Sequence, residues 1–338
     1  MNKKINFTFL LFLLLLSSCT SQGNQKAKDI EVRVGFNGLI MEFAKNTPPQ
    51  KVFETDIFPV ILNIRNSGAS DVKKENAFLS LGIEKDYTKK LQLQATGSIK
   101  KANEGEASAM FGLNGKSQIN QIGDFEVVSY QLTAGSVDPQ SETHKSTVIA
   151  TLCYPYQTIL DSTVCIDTDL SSTRPGKKVC SMQDLAFSSG QGAPVAVTKI
   201  EINMLPSAIT SDNQISIIRP QFLIYIENKD KGDVLKSGSE KDYCTKPNIA
   251  HENLNKVYVV ASLGGKELDC KTNKIDLNNL MDNYVKLLDK KALARCILKE
   301  SDISRTADNY LSPLKVTLTY GYTQSITANY IIQKATGQ

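Results

Sequence analysis

The stretch Leu152-Cys-Tyr-Pro-Tyr-Gln-Thr-Ile-Leu-Asp-Ser-Thr-Val-Cys-Ile166 is the key to the architecture, because the chain carries its pattern twice. Its counterpart is Thr319-Tyr-Gly-Tyr-Thr-Gln-Ser-Ile-Thr-Ala-Asn-Tyr-Ile-Ile332. Both contain Tyr-x-Tyr, and both continue as an apolar strand ten residues after the first tyrosine. Upstream, Phe58-Pro-Val-Ile-Leu-Asn-Ile-Arg-Asn66 parallels Phe222-Leu-Ile-Tyr-Ile-Glu-Asn228. Asn66 precedes Tyr154 by 88 residues, and Asn228 precedes Tyr320 by 92. Phe78-Leu-Ser-Leu-Gly82 likewise parallels Val260-Ala-Ser-Leu-Gly264. Three matches in one order at similar spacing read as two diverged copies of one domain.

The pattern between these landmarks is that of strands. Residues 30–34, 58–66, 78–82, 125–132 and 147–153 alternate or run apolar in the first copy. In the second, residues 195–204, 222–227, 257–263, 314–320 and 326–333 do so. Short strands with frequent turn signals, such as Asn66-Ser-Gly68, predict β-sandwiches. Residues 188–194 (Ser-Ser-Gly-Gln-Gly-Ala-Pro) have linker composition. The expected layout is a first sandwich over 30–166, a disulfide-pinned linker over 167–194 and a second sandwich over 195–335. One segment breaks the pattern. Leu277, Leu280, Met281, Tyr284, Leu287 and Leu288 follow a helical period after Asp276, a suitable N-cap. This predicts a helical insertion in the second copy, its apolar stripe packed on its own sandwich.

The N-terminus gives an address. Lys3 and Lys4 precede an apolar run from Phe7 to Leu16, and then Leu16-Ser-Ser-Cys19. The run is about ten to twelve residues, too short for a spanning helix of roughly twenty. It has the layout of a signal peptide over 1–18, and its ending resembles a lipobox. On that reading Cys19 is lipidated and becomes the first residue of a mature lipoprotein. The polar residues 19–29 suit a tether; ten of them reach about 35 Å when extended.

Seven cysteines are present. Setting Cys19 aside leaves Cys153, Cys165, Cys180, Cys244, Cys270 and Cys296, an even set that favours disulfides in an exported chain. Six cysteines allow fifteen connectivities. Cys165 and Cys180 sit on two short strands around a Pro-Gly connection and form one candidate pair. Cys270 and Cys296 flank the predicted insertion and form another, which leaves Cys153 with Cys244. No Cys-x-x-Cys pair exists, so a zinc site is not expected. The net charge is +4, with lysines and acids interspersed and no Arg-rich stripe, so nucleic acid is not an expected partner.

The run from Thr47 to Val72 resembles immunoglobulin-like modules of the CARDB kind, in which an aromatic-led strand ends in Asn-x-Gly. Asn228-Lys-Asp-Lys-Gly232 of the second copy departs from that turn by two residues. With Cys153-Tyr-Pro-Tyr-Gln-Thr158 and Gly190-Gln-Gly-Ala-Pro-Val195, the chain is similar to archaeal-type cell-surface lipoproteins. The resemblance implies an all-β chain of two tandem immunoglobulin-like β-sandwich domains in an extracellular setting. It also implies adhesion, spacer or assembly roles and no catalytic residues.

Residues that could carry chemistry are few. His144 and His251 read as solvated loop residues outside any nucleophile motif. Asp167-Thr-Asp169-Leu-Ser171 looks like the start of a calcium loop. Ser172 and Lys178 stand where glycine and glutamate are needed, so it reads as an Asx-rich turn. Glu54 and Asp56 read as a surface pair. Tyr154, Tyr156, Tyr320 and Tyr322 are the residues of note. At i and i+2 on a strand each pair shares a face, either packed in the core or exposed as an aromatic contact for glycan or protein. The expectation is a chain that is not an enzyme and has no cofactor or metal. It is anchored to a membrane by an N-terminal lipid and works as a structural or interaction module for an envelope protein or glycan. The alternative is a solute- or glycan-binding surface lipoprotein.

Overall fold

A computed structural model describes residues 32–94, 98–102, 108–169, 178–209, 215–246, 251–272, 283–298, 303–304 and 308–335. The signal peptide, Cys19, the tether and most of the predicted helix lie outside the described residues. The first half contributes β1 (Leu39–Phe43), β2 (Lys51–Phe53), β3 (Ile57–Asn66), β4 (Val72–Ile83), β5 (Thr88–Gln94), β6 (Lys100–Lys101), β7 (Ala109–Leu113), β8 (Phe125–Ala134) and β9 (Thr143–Ile166). The second contributes β10 (Leu185–Ala186), β11 (Val195–Ile209), β12 (Ile215–Asn228), β13 (Asp233–Leu235), α1 (Glu240–Thr245), β14 (Lys256–Leu263) and β15 (Lys266–Glu267). It ends with β16 (Asp269–Thr272), β17 (Tyr284–Lys286), β18 (Lys291–Ile297), β19 (Ile303–Ser304) and β20 (Tyr310–Gln333). The chain is thus nearly all β, in several sheets that are antiparallel except where β2 runs parallel to β20.

Two outer sheets share one strand order, β1-β3-β8-β5 in the first half and β11-β12-β18-β16 in the second. Leu39 pairs with Asn66 in one, and Val195 with Asn228 in the other. Between the halves runs a central sheet, β15-β14-β20-β9-β4-β7-β6. Its spine is β9 against β20, each 24 residues long, or about 80 Å of extended chain. They pair over their whole length, from Thr143↔Gln333 to Ile166↔Tyr310.

This pairing crosses between the halves. Residues 148–153 of β9 lie beside β4 of their own half, and on their other side run residues 323–328 of β20. Residues 314–319 of β20 lie beside β14, and opposite them run residues 157–162 of β9. No cut between Ile166 and Val195 leaves either half with its own complete sheet, and the body from Val32 onward is one compact unit. Pro155 and Gly321 face each other where the strands pass from one half to the other. Proline gives up a ladder donor there, and a Cβ on Gly321 would crowd Glu240 and Leu235.

Alternation sets the layers. Val148, Ala150, Leu152, Tyr154, Tyr156 and Leu160 of β9 are buried, as are Leu314, Val316, Leu318, Tyr320 and Tyr322 of β20. Alternate residues share one face, so both outer sheets cover the same side of the spine. On the other side α1 packs at the middle, and Cys153, Cys244 and Phe78 form a small separate cluster.

Three expectations are corrected. Tyr284–Lys286, assigned to a helix, is strand β17 paired with Val257 and its neighbours; the helical period of those residues gave way to a free sheet edge. The segment at 190–194, expected as linker, is buried. Its Gly192 carbonyl accepts from Ala69 N–H at 2.8 Å and its Pro194 carbonyl from Lys229 N–H at 2.8 Å, so it is a seam between the halves. The match of Phe78 to Val260 slips by two. Phe78 faces Cys153, one residue before Tyr154, and Tyr258 faces Thr319, one before Tyr320. A slip of two keeps every side chain on its face, which is why the pattern concealed it.

Gly68 gives a direct check on this packing. A Cβ there would strike the Tyr156 hydroxyl and the carbonyls of Asn37 and Gly192. Gly68→Ala should cost about 2 kcal/mol or more, read as a lower urea midpoint.

Candidate functional site

The four tyrosines meet where the halves join. Tyr154 faces Tyr322 and Tyr156 faces Tyr320 across the spine. The rings of Tyr154 and Tyr322 lie 5.8 Å apart, those of Tyr154 and Tyr156 5.6 Å, and those of Tyr320 and Tyr322 6.5 Å. All four are buried, so none belongs to an exposed aromatic stripe. Burial holds each phenol well above its usual range, and the hydroxyls act as neutral hydrogen-bonding groups.

Those bonds repeat between the halves. Leu39 N–H donates to Tyr154 Oη at 3.1 Å, and Val195 N–H donates to Tyr320 Oη at 3.3 Å. The Tyr156 hydroxyl donates to Asn66 Oδ1 at 3.0 Å, and that of Tyr322 to Asn228 Oδ1 at 3.4 Å. Each asparagine also folds the turn that follows it. Asn66 Nδ2 donates to the Ser70 carbonyl at 2.8 Å while Oδ1 accepts from Gly68 N–H at 3.2 Å. Asn228 Nδ2 donates to the Gly232 carbonyl at 2.8 Å while Oδ1 accepts from Asp230 N–H at 3.2 Å. The asparagines carry as much of this arrangement as the tyrosines do. In the sequence they read only as the start of a turn.

Cys153 is joined to Cys244, Cys165 to Cys180 and Cys270 to Cys296. Cys153–Cys244 ties β9 of the first half to α1 of the second. Cys165–Cys180 joins the end of β9 to residues 178–180. Cys270–Cys296 links facing residues of β16 and β18. Three disulfides belong to an oxidising compartment, and the chain is extracytoplasmic on that ground.

The remaining candidates are occupied by ordinary contacts. Asp167 Oδ1 accepts from Asp169 N–H at 2.9 Å, and Oδ2 pairs with Lys178 Nζ at 2.7 Å, so an ammonium sits at this carboxylate. Glu54 Oε1 accepts from Val137 N–H at 2.6 Å and Asp56 Oδ2 from Phe53 N–H at 2.8 Å; both hold backbone. Among the described residues no group of three or more His, Cys, Asp or Glu could hold a metal, and no helix is long and apolar enough to cross a membrane. A cleft of about 280 Å³ opens beside Arg33, Ser70, Asp71, Gln157 and Gln191.

His144 was expected in a solvated loop and instead lies in β9. Its ring stacks on Tyr87 at 3.4 Å, and Nε2 sits 3.1 Å from Glu84 Oε2. Ser146 donates to that same oxygen at 2.8 Å. Histidine and serine both turn to the carboxylate, so the arrangement is not that of a nucleophile triad, in which serine faces histidine. His144, first, and Ser146 lower the Glu84 pKa. His251 lies in a 3-10 turn and is exposed.

No protein-family model and no curated protein sequence matches the chain. Among solved structures it is similar to a secreted serine protease, VesC of Vibrio cholerae. Identity is 12% and the TM-score 0.19, over 84% of this chain and 50% of that one. The chain therefore spans about half of that protease's length. It is also similar to part of the N-terminal region of an enterococcal surface protein, at 7% identity and a TM-score of 0.19, over 85% and 84% of the chains. The CupB6 tip adhesin of Pseudomonas aeruginosa gives 8% identity and a TM-score of 0.16 over 89% and 98%. The expectation that the chain is not an enzyme is corrected by the first of these, a protease, and is withdrawn. A likeness at this TM-score brings no activity to the chain.

Three outcomes test the site. Asn66→Ala strips four bonds from a buried turn and should cost about 2–4 kcal/mol in urea unfolding, whereas Tyr154→Phe should cost about 1 kcal/mol. Cys153→Ser with Cys244→Ser should cost about 2–5 kcal/mol, and peptide mapping should still find the other two bonds. The lowered Glu84 pKa contributes stability above the unfolded glutamate pKa, and that stability is lost as pH falls through the folded value. Glu84→Gln should therefore shift the urea midpoint down at neutral pH and flatten its acid-side decline.

Proposed function

We propose that the chain is a lipid-anchored module of the outer cell envelope, which acts by binding an envelope protein or glycan. The observation that carries this reading is an all-β body stapled by three disulfides behind a signal-like segment that ends at Cys19. Such a body keeps its shape without the cytoplasm's reducing power or chaperones. Its loops and sheet faces then carry recognition on a rigid frame. Two outer sheets with one strand order support the reading of a duplicated immunoglobulin-like unit similar to CARDB modules. The balanced charge, +4 with acids and lysines interspersed, disfavours nucleic acid as the partner.

Cys19→Ser tests the anchor. The wild-type chain should sediment with membranes and the variant should appear in the soluble fraction. Retention of the variant by membranes would overturn the anchor, and cross-linking on intact cells then identifies the partner for either form.

A further inference from the structure

The strongest unexplained feature is a pair of aliphatic loop tips beside the place where the described chain begins. In the first half, residues 114–124 join β7 to β8. Ile119 is 99% exposed and Ile122 67%, and Phe125 stands just after them, half exposed. In the second half the equivalent connection, from β17 to β18, puts Leu288 outward at 60% exposure. The two loops are built alike. Each lies against the turn that follows the buried asparagine of its half. Lys116 N–H donates to the Gly68 carbonyl at 2.7 Å, and Lys290 Nζ donates to the Asp230 carbonyl at 2.8 Å.

The chain emerges between them. Gly192 approaches both Arg33 and Ala69, and Ala69 in turn touches Gly115 at the base of the first loop. Two residues on, the Pro194 carbonyl accepts from Lys229 N–H of the second turn at 2.8 Å. The seam at 192–194 thus touches the start of the described chain and the turns under both loops. If Cys19 carries lipid, twelve residues lie between it and Val32, a reach of about 45 Å at full extension. The point where the described body begins is then flanked by exposed aliphatic side chains, Ile119 and Ile122 on one side and Leu288 on the other. The polar residues 20–29 are poorly suited to cover apolar tips, and a lipid surface is well suited.

We infer that the loops tipped by Ile119, Ile122 and Leu288 dock on the lipid surface beside the anchor, and so fix how the body faces its partner. This rests on the proposed anchor at Cys19 and adds an orientation to it. An anchor at one point allows many orientations. Two apolar contacts on either side of it allow few.

The chain contains no tryptophan, so a single introduced indole reports its own surroundings. Ile119→Trp and Leu288→Trp are each made in the full chain, purified with the processed N-terminus and mixed with phosphatidylcholine–phosphatidylglycerol vesicles, with and without brominated acyl chains. Val179→Trp is the control: Val179 is 73% exposed and its N–H bonds to Asn309, next to the far end of the spine. Disulfide mapping verifies the fold of each variant. The expected result is flotation of all three with the vesicles. Emission should shift to the blue and be quenched by bromine at the two loop positions, and be unaffected in the control. Flotation with no quenching at positions 119 and 288 would overturn the docking and leave the anchor standing. A blue shift without bromine quenching would also overturn it, since the loops would then face protein. Failure of every variant to float would remove the anchor, and the docking with it.

Discussion

The structure depends on one pairing, that of β9 with β20. Two strands of 24 residues each satisfy one another's backbone along about 80 Å. Neither half owns a complete central sheet without the other. A conventional sandwich would turn each strand back on itself at Tyr154-Pro-Tyr156 and Tyr320-Gly-Tyr322. Here both strands run straight through, and each fills the edge position in the opposite half. Separation of the halves would expose two long unpaired edges, which are costly in water and prone to wrong pairing.

That constraint explains the polar chemistry at the centre. Four phenols buried around one crossing must each find a partner, because an unsatisfied buried hydroxyl costs more than its bond returns. The partners are drawn from both halves and from the seam: Leu39, Asn66, Val195 and Asn228. Each asparagine gives its amide to the turn that follows it and shares its oxygen between that turn and a tyrosine. Strand crossing, turn and seam are therefore one hydrogen-bonded unit, made twice. The Cys153–Cys244 bond closes the reverse face of the same crossing.

Much of this is legible in the order of residues alone. The alternation of apolar residues, the turn signals and the even cysteine set are local or compositional, and they led to an all-β, disulfide-bearing chain. The twofold Tyr-x-Tyr pattern marked the residues around which the halves meet. Other features were hidden for physical reasons. A two-residue slip between the copies preserves the faces of every side chain, so periodicity alone is blind to it. Tyr284–Lys286 has a helical period, yet a sheet edge beside Val257 offered it backbone partners. Residues 190–194 have the composition of a solvated linker because close approach of two backbones also demands glycine. His144 stacks on Tyr87, from a strand pairing that no spacing encodes.

Strands, landmarks that occur twice, and six cysteines beyond Cys19 able to pair can all be read from the order of residues. Those properties follow from side-chain alternation, repetition and count, which need no long-range contact to be read. The three-dimensional fold alone reveals that the repeats interlock instead of standing in line, and that their tyrosines are buried. It also showed that asparagine, not tyrosine alone, organises the crossing. Whether a strand turns back or runs on depends on which edge it meets, and that edge is supplied by residues more than a hundred positions away.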